Sequence, residues 1–405
     1  MDSIKEIFKI GRGPSSSHTM GPERASQIFI KRNPKADFFE VVLYGSLALT
    51  GKGHLTDFII KEVLGEKTNI LFNYDESFDY HPNGMKLKAF QNHELIDEWL
   101  VFSVGGGELK ELNERRHNKD NAKYPHHLME NILTYVKSEN ITLSEYVDRF
   151  EDKSLNDYLL EVFETMEKAI NRGLNTEGVL PGRLQIKRKA KYFYNQYLKT
   201  NNFSTLLFAL SLASSEENAS GGIIVTAPTC GSCGVVPAAL FSFYYHLKMP
   251  KEKLINALKV AGLIGNLVKF NASISGAEVG CQGEIGVACC MASGMIAYLK
   301  DARSEIIEYA SEIALEHHLG MTCDPIDGMV QIPCIERNAL SAQYAFNASE
   351  YAIMTDGTHH ITLDSVIEVM NETGKDMHSK YRETSLGGLA LINRKKAEDG
   401  KTRKV

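Results

Sequence analysis

Past residue 155 the chain places apolar residues at three- and four-residue spacing in one segment after another, and few stretches read as strands. "YLLEVFETMEKAINRGL", "KEKLINALKVAGLIGNLVKF", "ARSEIIEYASEIALEHHLG" and "LDSVIEVMNETGKDM" all carry this pattern. Each apolar stripe needs a partner to bury it, so residues 155–405 are expected to form an almost entirely helical domain. The first third differs. "DFFEVVLYGSLALTG" is β-rich, and "GHLTDFIIKEVLG" is helix-periodic and ends on a glycine stop. "MKLKAFQNHELIDEWLVFSVGGG" alternates apolar and polar residues on both sides of "QNHE", which predicts a β-hairpin. Residues 1–140 are therefore read as an α/β domain and the whole chain as α+β, with the polar stretch "ERRHNKDNAKYPHH" marking the change of pattern.

At 405 residues the chain can bury two cores. A net charge of -6 gives no electrostatic footprint for nucleic acid or an anionic membrane, and neither is expected as a partner. The N-terminus lacks the apolar core of a signal peptide. "IGVACCMASGMIAYL", at 15 residues, is too short to span a bilayer and reads as a buried helix. The terminal "KTRKV" reads as a solvated tail, and the expected compartment is the cytoplasm.

Seven cysteines in such a chain favour burial or metal binding over disulfides. Cys289 and Cys290, in "GVACCMASG", read as small core residues. Cys230 and Cys233 have CxxC spacing in "TCGSCG" but lack a second CxxC. Cys281, Cys323 and Cys334 stand beside Gly or Pro with polar neighbours, in "GCQGE", "TCDP" and "PCIERN". Both zinc and iron–sulfur sites use such thiolates, and the spacing does not choose between them.

Hydroxyls and histidines gather in the first domain. "GRGPSSSHTMGP" sets Ser15, Ser16, Ser17, His18 and Thr19 before a helix expected near Pro22. One N-cap explains one serine, not three with a histidine. "TGKGHLTD" adds Lys52, His54 and Asp57, and "HPNGM" adds His81 and Asn83, so a binding surface is expected here. "SVGGGE" lacks the Lys-Ser or Lys-Thr helix start of a P-loop.

From end to end the chain resembles the bacterial iron–sulfur-dependent L-serine dehydratases (L-serine ammonia-lyases). The resemblance rests on "GPSSSHTMGP", "YGSLALTGKGH", "HPNGM", "EGVLPGRLQIKRKA", "TAPTCGSCG", "NASISGAEVGCQGEIGVAC", "GMTCDPIDGMVQIPCIERNA" and "SKYRETSLGGLA". It implies that Cys281, Cys323 and Cys334 hold a [4Fe–4S] cluster whose open iron acts as a Lewis acid on the serine hydroxyl, with no PLP. It further implies a β-type first domain, a cluster-bearing helical second domain fused to it, and a homodimer. His18 is the first candidate base, His54 the next, and Ser16 the analogue of a serine alkoxide. Ser15, Ser17, Thr19, His81 and Asn83 are candidate contacts for L-serine, which places the site between the domains.

This chain departs from the pattern in two places. Known single-chain members end in a cysteine that folds back on the fourth iron, and here none follows Cys334. Water, Cys230 or Cys233 would take that position, and sensitivity to oxygen is expected to rise. Cys230 also replaces the asparagine or alanine of other members, which bears on substrate preference. An iron–sulfur lyase for threonine, cysteine or another β-substituted amino acid would share every motif. A PLP dehydratase lacks its lysine here, and a serine-sensing protein would not need three cysteines.

Overall fold

The computed structural model describes residues 1–112, 114 and 122–392. The "KTRKV" tail and most of the polar stretch before residue 122 lie outside the described residues.

The first domain is built on a five-stranded sheet of order β3-β2-β4-β5-β6. Its strands are β2 (Phe38–Tyr44), β3 (Asn69–Asn73), β4 (Gly84–Gln91), β5 (Glu94–Ser103) and β6 (Leu109–Glu111), and only β2 and β3 run parallel. Alternate residues Phe39, Val41 and Leu43 of β2 and Met85, Leu87 and Ala89 of β4 face one side. There they meet α1 (Gly21–Arg32) and α3 (Thr56–Leu64) through Ala25, Phe29, Ile59 and Ile60. The other face is mixed: Lys88 pairs with Glu40 at 3.0 Å and Lys86 with Glu98 at 3.3 Å, beside Phe38, Val42 and Phe90. The expected hairpin is β4–β5. It turns at Asn92 and His93, both with positive φ (52° and 70°), which matches the right-handed twist of the strands.

The stretch "DFFEVVLYGSLALTG" is only half strand. At its midpoint Gly45 takes φ +52°, and a Cβ there would lie 2.3 Å from the Pro82 carbonyl oxygen. The chain therefore leaves the sheet and forms α2 (Gly45–Thr50), whose small apolar residues had imitated a strand.

The second core is helical. At its centre lies α12 (Ile285–Leu299), buried along almost its whole length. It packs among α9 (Val235–Tyr245), α10 (Lys251–Asn271), α13 (Ser304–Glu316) and α14 (Cys334–Ile353). Outer layers come from α4 (Met129–Glu139), α5 (Leu143–Phe150), α6 (Ser154–Asn175), α7 (Ala190–Thr200), α8 (Phe203–Ala219) and α15 (Leu363–Asp376), with the short α11 (Gly276–Val279) before α12. No single described helix is long and apolar enough to cross a membrane, although α11 and α12 with the turn between them pass that test as a pair bent by 43°.

The N-terminus belongs to this second core. Met1, Ile4, Ile7 and Phe8 are buried within it, and β1 (Ile10–Arg12) pairs antiparallel with β7 (Ile223–Val225). Residues 129–147 contribute to the same core. The first domain is thus tied to the second at both of its ends.

Candidate active site

Two turns of the first domain and several loops of the second enclose a small cavity. Cys281, Cys323, Cys334, Glu284 and Glu383 line it from one side, and His54 and Ser15 from the other. Cys281 lies in the tight turn Gly280–Gly283 ahead of α12, Cys323 in the loop between α13 and α14, and Cys334 is the first residue of α14. All three are buried free thiols. The sulfurs of Cys281 and Cys323 and a Glu284 carboxyl oxygen lie within 4.8 Å of one another.

The electrostatics of the cavity are lopsided. A hydrogen bond with Cys281, and then burial, push the Cys323 thiol well above its usual range. Burial does the same to Cys334, with Cys281 adding to it, and raises the carboxyls of Glu284 and Glu383. Arg337, one turn into α14, supplies a guanidinium that donates to the Thr322 carbonyl at 2.6 Å and sits 3.4 Å from Asp324. Five acidic groups against one guanidinium is a costly arrangement by itself, and one that a metal centre would reverse. An iron–sulfur cluster fits this donor set, with three thiolates converging from separate elements.

The histidines sit opposite. A one-turn π-helix, Ser16–Met20, carries His18, and the Ser15 hydroxyl caps it by accepting from His18 N at 3.1 Å. Both His18 ring nitrogens are engaged: Nδ1 with Ser17 Oγ at 2.8 Å, and Nε2 with Ser46 Oγ at 3.1 Å. The His54 ring lies 4.5 Å from that of His18, centroid to centroid. Its Nδ1 donates to the Thr50 carbonyl at 2.9 Å, which leaves Nε2 as the lone-pair nitrogen of the neutral ring. Burial lowers the His54 pKa to about 4, and burial, then His54, lower that of His18 further below its usual value. Glu383 stands between them, its Oε1 3.6 Å from His18 Nδ1 and 3.7 Å from His54 Nε2. Its Oε2 is buried without a hydrogen bond.

The domains touch by backbone here. A Cβ at Gly53 would lie 2.5 Å from the Gly328 carbonyl oxygen and 2.8 Å from that of Asp327, so only glycine permits this approach beside His54.

The other candidates fall nearby. Thr19 Oγ1 donates to the His54 carbonyl at 2.7 Å and accepts from Ser15 N at 3.2 Å, bracing the two turns. Ser17 is spent on His18, and Ser16 is buried outside the cavity lining. His81 lines a larger interdomain cleft of about 500 Å³, 3.9 Å from Glu278, with Ser46 on the wall it shares with His18. Asn83 is buried and donates to the Ser103 carbonyl at 3.2 Å. Lys52 lies over the Phe72 ring, and Asp57, in the first turn of α3, accepts from Phe58 N at 3.0 Å. Cys230 contacts Met20 and Cys233 faces the Ser214 carbonyl; Gly231 between them lines the cavity, and they do not. Cys289 and Cys290 are core residues of α12.

The sequence reading singled out neither Glu284 nor Glu383, nor Ser46 and Thr50. Glu284 follows Cys281 by one turn, a usable signal. Glu383 lies in the quoted "SKYRETSLGGLA" but carries no local chemical signal, because its φ of +54° and its place beside Cys323 are set by tertiary contacts. Glu383 N donates to the Cys323 carbonyl at 2.9 Å, and Cys323 N to that of Tyr381 at 2.8 Å.

Residues 88–390 match the family model described as "Serine dehydratase alpha chain", and residues 3–65 and 60–114 match "Serine dehydratase beta chain". The chain is 38% identical over 450 residues to L-serine dehydratase 1 of Escherichia coli K12, covering 96% of this chain and 99% of that one. It is 40% identical over 455 residues to L-serine dehydratase 2 of the same organism, with the same coverage. It is also 40% identical over 451 residues to the L-serine dehydratase of Helicobacter pylori, covering 96% and 98%.

Proposed function

The chain belongs to the serine dehydratase family, and from that premise we propose that it converts L-serine to pyruvate and ammonia with a [4Fe–4S] cluster held by Cys281, Cys323 and Cys334. The observation that carries this reading is the convergence of three buried thiols from three separate elements on one cavity, opposite a neutral imidazole. The cluster supplies a Lewis-acidic iron for the substrate hydroxyl.

The protein groups divide the remaining work. His54 Nε2, neutral above about pH 4, takes the Cα proton. Its Nδ1–H bond to the Thr50 carbonyl fixes both tautomer and ring plane. Glu383, whose carboxyl burial pushes well above its usual range, is placed to give a proton to the departing hydroxide, which leaves as water. The carboxylate then faces the His54 imidazolium, so the two charges appear together and neutralise one another. The aminoacrylate released tautomerises to an imine, and water hydrolyses it to pyruvate and ammonia. His18, tied at both nitrogens, holds Ser46 and Ser17 in place, and Ser46 in turn donates to the Glu383 carbonyl at 2.7 Å.

Anaerobic protein is expected to show a broad visible absorption, about four irons per chain and rapid pyruvate release from L-serine. Protein that forms pyruvate without iron would overturn the cluster. A cluster with L-threonine turned over faster than L-serine would overturn the substrate.

Gly53→Ala offers a second check. The added Cβ meets backbone atoms, which cannot rotate away, so the domains must part by a fraction of an ångström. A displacement of about 1 Å in a reacting group costs on the order of 100-fold in rate. We expect kcat to fall by about that factor, with helical content by circular dichroism unchanged.

A further inference from the structure

We propose that the cleft between α13, α14 and the segment leading into α15 is a second binding site, for a small organic cation of the aliphatic amine class. The cleft is separate from the cysteine cavity and has a volume of about 560 Å³. Its walls include Tyr309, Tyr344 and Tyr351, with Glu312, Glu316 and His359 among them, and neither lysine nor arginine lines it.

Glu312 is the residue that asks for a ligand. It is 3% exposed, lines the cleft, and has no hydrogen bond or ion pair among the described residues. Burial, and then the neighbouring Glu316 and Glu308, push its carboxyl up to about 8. The other two carboxylates of this helix face have partners. Glu308 accepts from Leu363 N at 2.7 Å and meets His359 Nε2 at 2.8 Å, and Glu316 lies 3.4 Å from His317 Nδ1. The carboxyl keeps only a narrow opening, at the cleft it lines, and a bound cation there would supply the partner that the protein does not.

The walls suit an organic cation. His359 stacks on Tyr309 at 4.3 Å with the ring planes 6° apart, and Tyr351 meets Tyr309 edge-on at 6.4 Å. Tyrosine faces attract ammonium groups and also cover the attached hydrocarbon. A bare metal ion fits less well. Among the described residues, no three histidine or acidic ligand atoms in this cleft come within 4.8 Å of one another, whereas those of the cysteine site do.

The test is calorimetric titration of the anaerobic full-length protein with 1,4-diaminobutane, and with 1,4-butanediol as the neutral counterpart. We expect saturable binding of the diamine, no binding of the diol, and affinity lowered by about tenfold or more in Glu312→Gln, the loss expected for a charge-assisted hydrogen bond. Tyr351→Ala, at a ring 61% exposed, leaves the core intact and is expected to weaken binding as well, so it carries the test should Glu312→Gln fail to fold. Absence of saturable heat, equal binding of the diol, unchanged affinity in both variants, or binding of zinc in place of the diamine would overturn the site.

Discussion

Cys323→Ser is expected to purify without its full iron content and to release pyruvate more than about 100-fold more slowly than the parent protein. Losing even an outer-shell partner of a metal ligand costs about 10–100-fold in affinity or activity, and a ligand itself should cost more. A serine hydroxyl does not ionise near neutral pH, so it cannot replace a thiolate donor. Folding should survive the change. Cys323 sits among Cys281, Glu284 and Glu383, and its own thiol is pushed up by that crowding. Removing one acidic group from the cluster leaves the iron-free protein no less stable, and its melting temperature should match or exceed that of the iron-free parent. Full iron and an unchanged rate in Cys323→Ser would rule this cysteine out as a ligand.

His54→Gln is expected to lower kcat by about 10²–10⁴-fold, the range for loss of a positioned general base, with KM changed much less. His18→Gln separates this role from support. His18 Nδ1 and Nε2 are both engaged, and glutamine can replace part of that network, so its loss should be the smaller of the two. Exchange of the serine Cα proton with solvent deuterium should stop in His54→Gln and persist in His18→Gln. The reverse order would move the base to His18.

Stability gives an independent readout for the same residue. The folded protein keeps His54 neutral down to about pH 4, whereas an unfolded histidine takes a proton near 6.5. The unfolded state therefore binds more protons as pH falls from 6.5 towards 4, and the folded state loses up to about 3 kcal/mol across that window. Above 6.5 this contribution is fully present. His18 acts in the same direction. His54→Gln should lack its share of the loss, so denaturant midpoints of parent and variant should converge as the pH is lowered.

The sequence exposed the parts of this site that are chemically unusual, and hid those that are ordinary residues in unusual places. Three cysteines flanked by glycine and proline stand out in any chain, as do three serines beside a histidine. Glu383 does not, because an acidic residue in a polar stretch is the commonest thing a surface loop contains. Its burial follows from strand-like pairing of its segment with the Cys323 loop, and no local pattern encodes that pairing. The proposed choice of His54 over His18 was likewise hidden, since it rests on which ring nitrogen is left without a hydrogen bond. At the level of fold, helical periodicity and the "QNHE" hairpin carried through to the structure. The turn at Gly45 did not, since small apolar residues fit a strand and a short helix equally well. Nor did the pairing of β1 with β7, at three residues each, too brief for any periodicity to register.

That short pairing has a consequence for how the protein is made. Residues 1–8 leave the ribosome long before the helices that seat them, such as α10, which ends at Asn271. At about 5–20 residues per second, the N-terminus waits for about 13–50 s with Ile4, Ile7 and Phe8 uncovered. The sheet of the first domain can form in that interval, but the cavity beneath it cannot close. Cys281, Cys323 and Cys334 all follow α10 in the chain, so the cavity they line can be completed only after the seats of the first segment have been made.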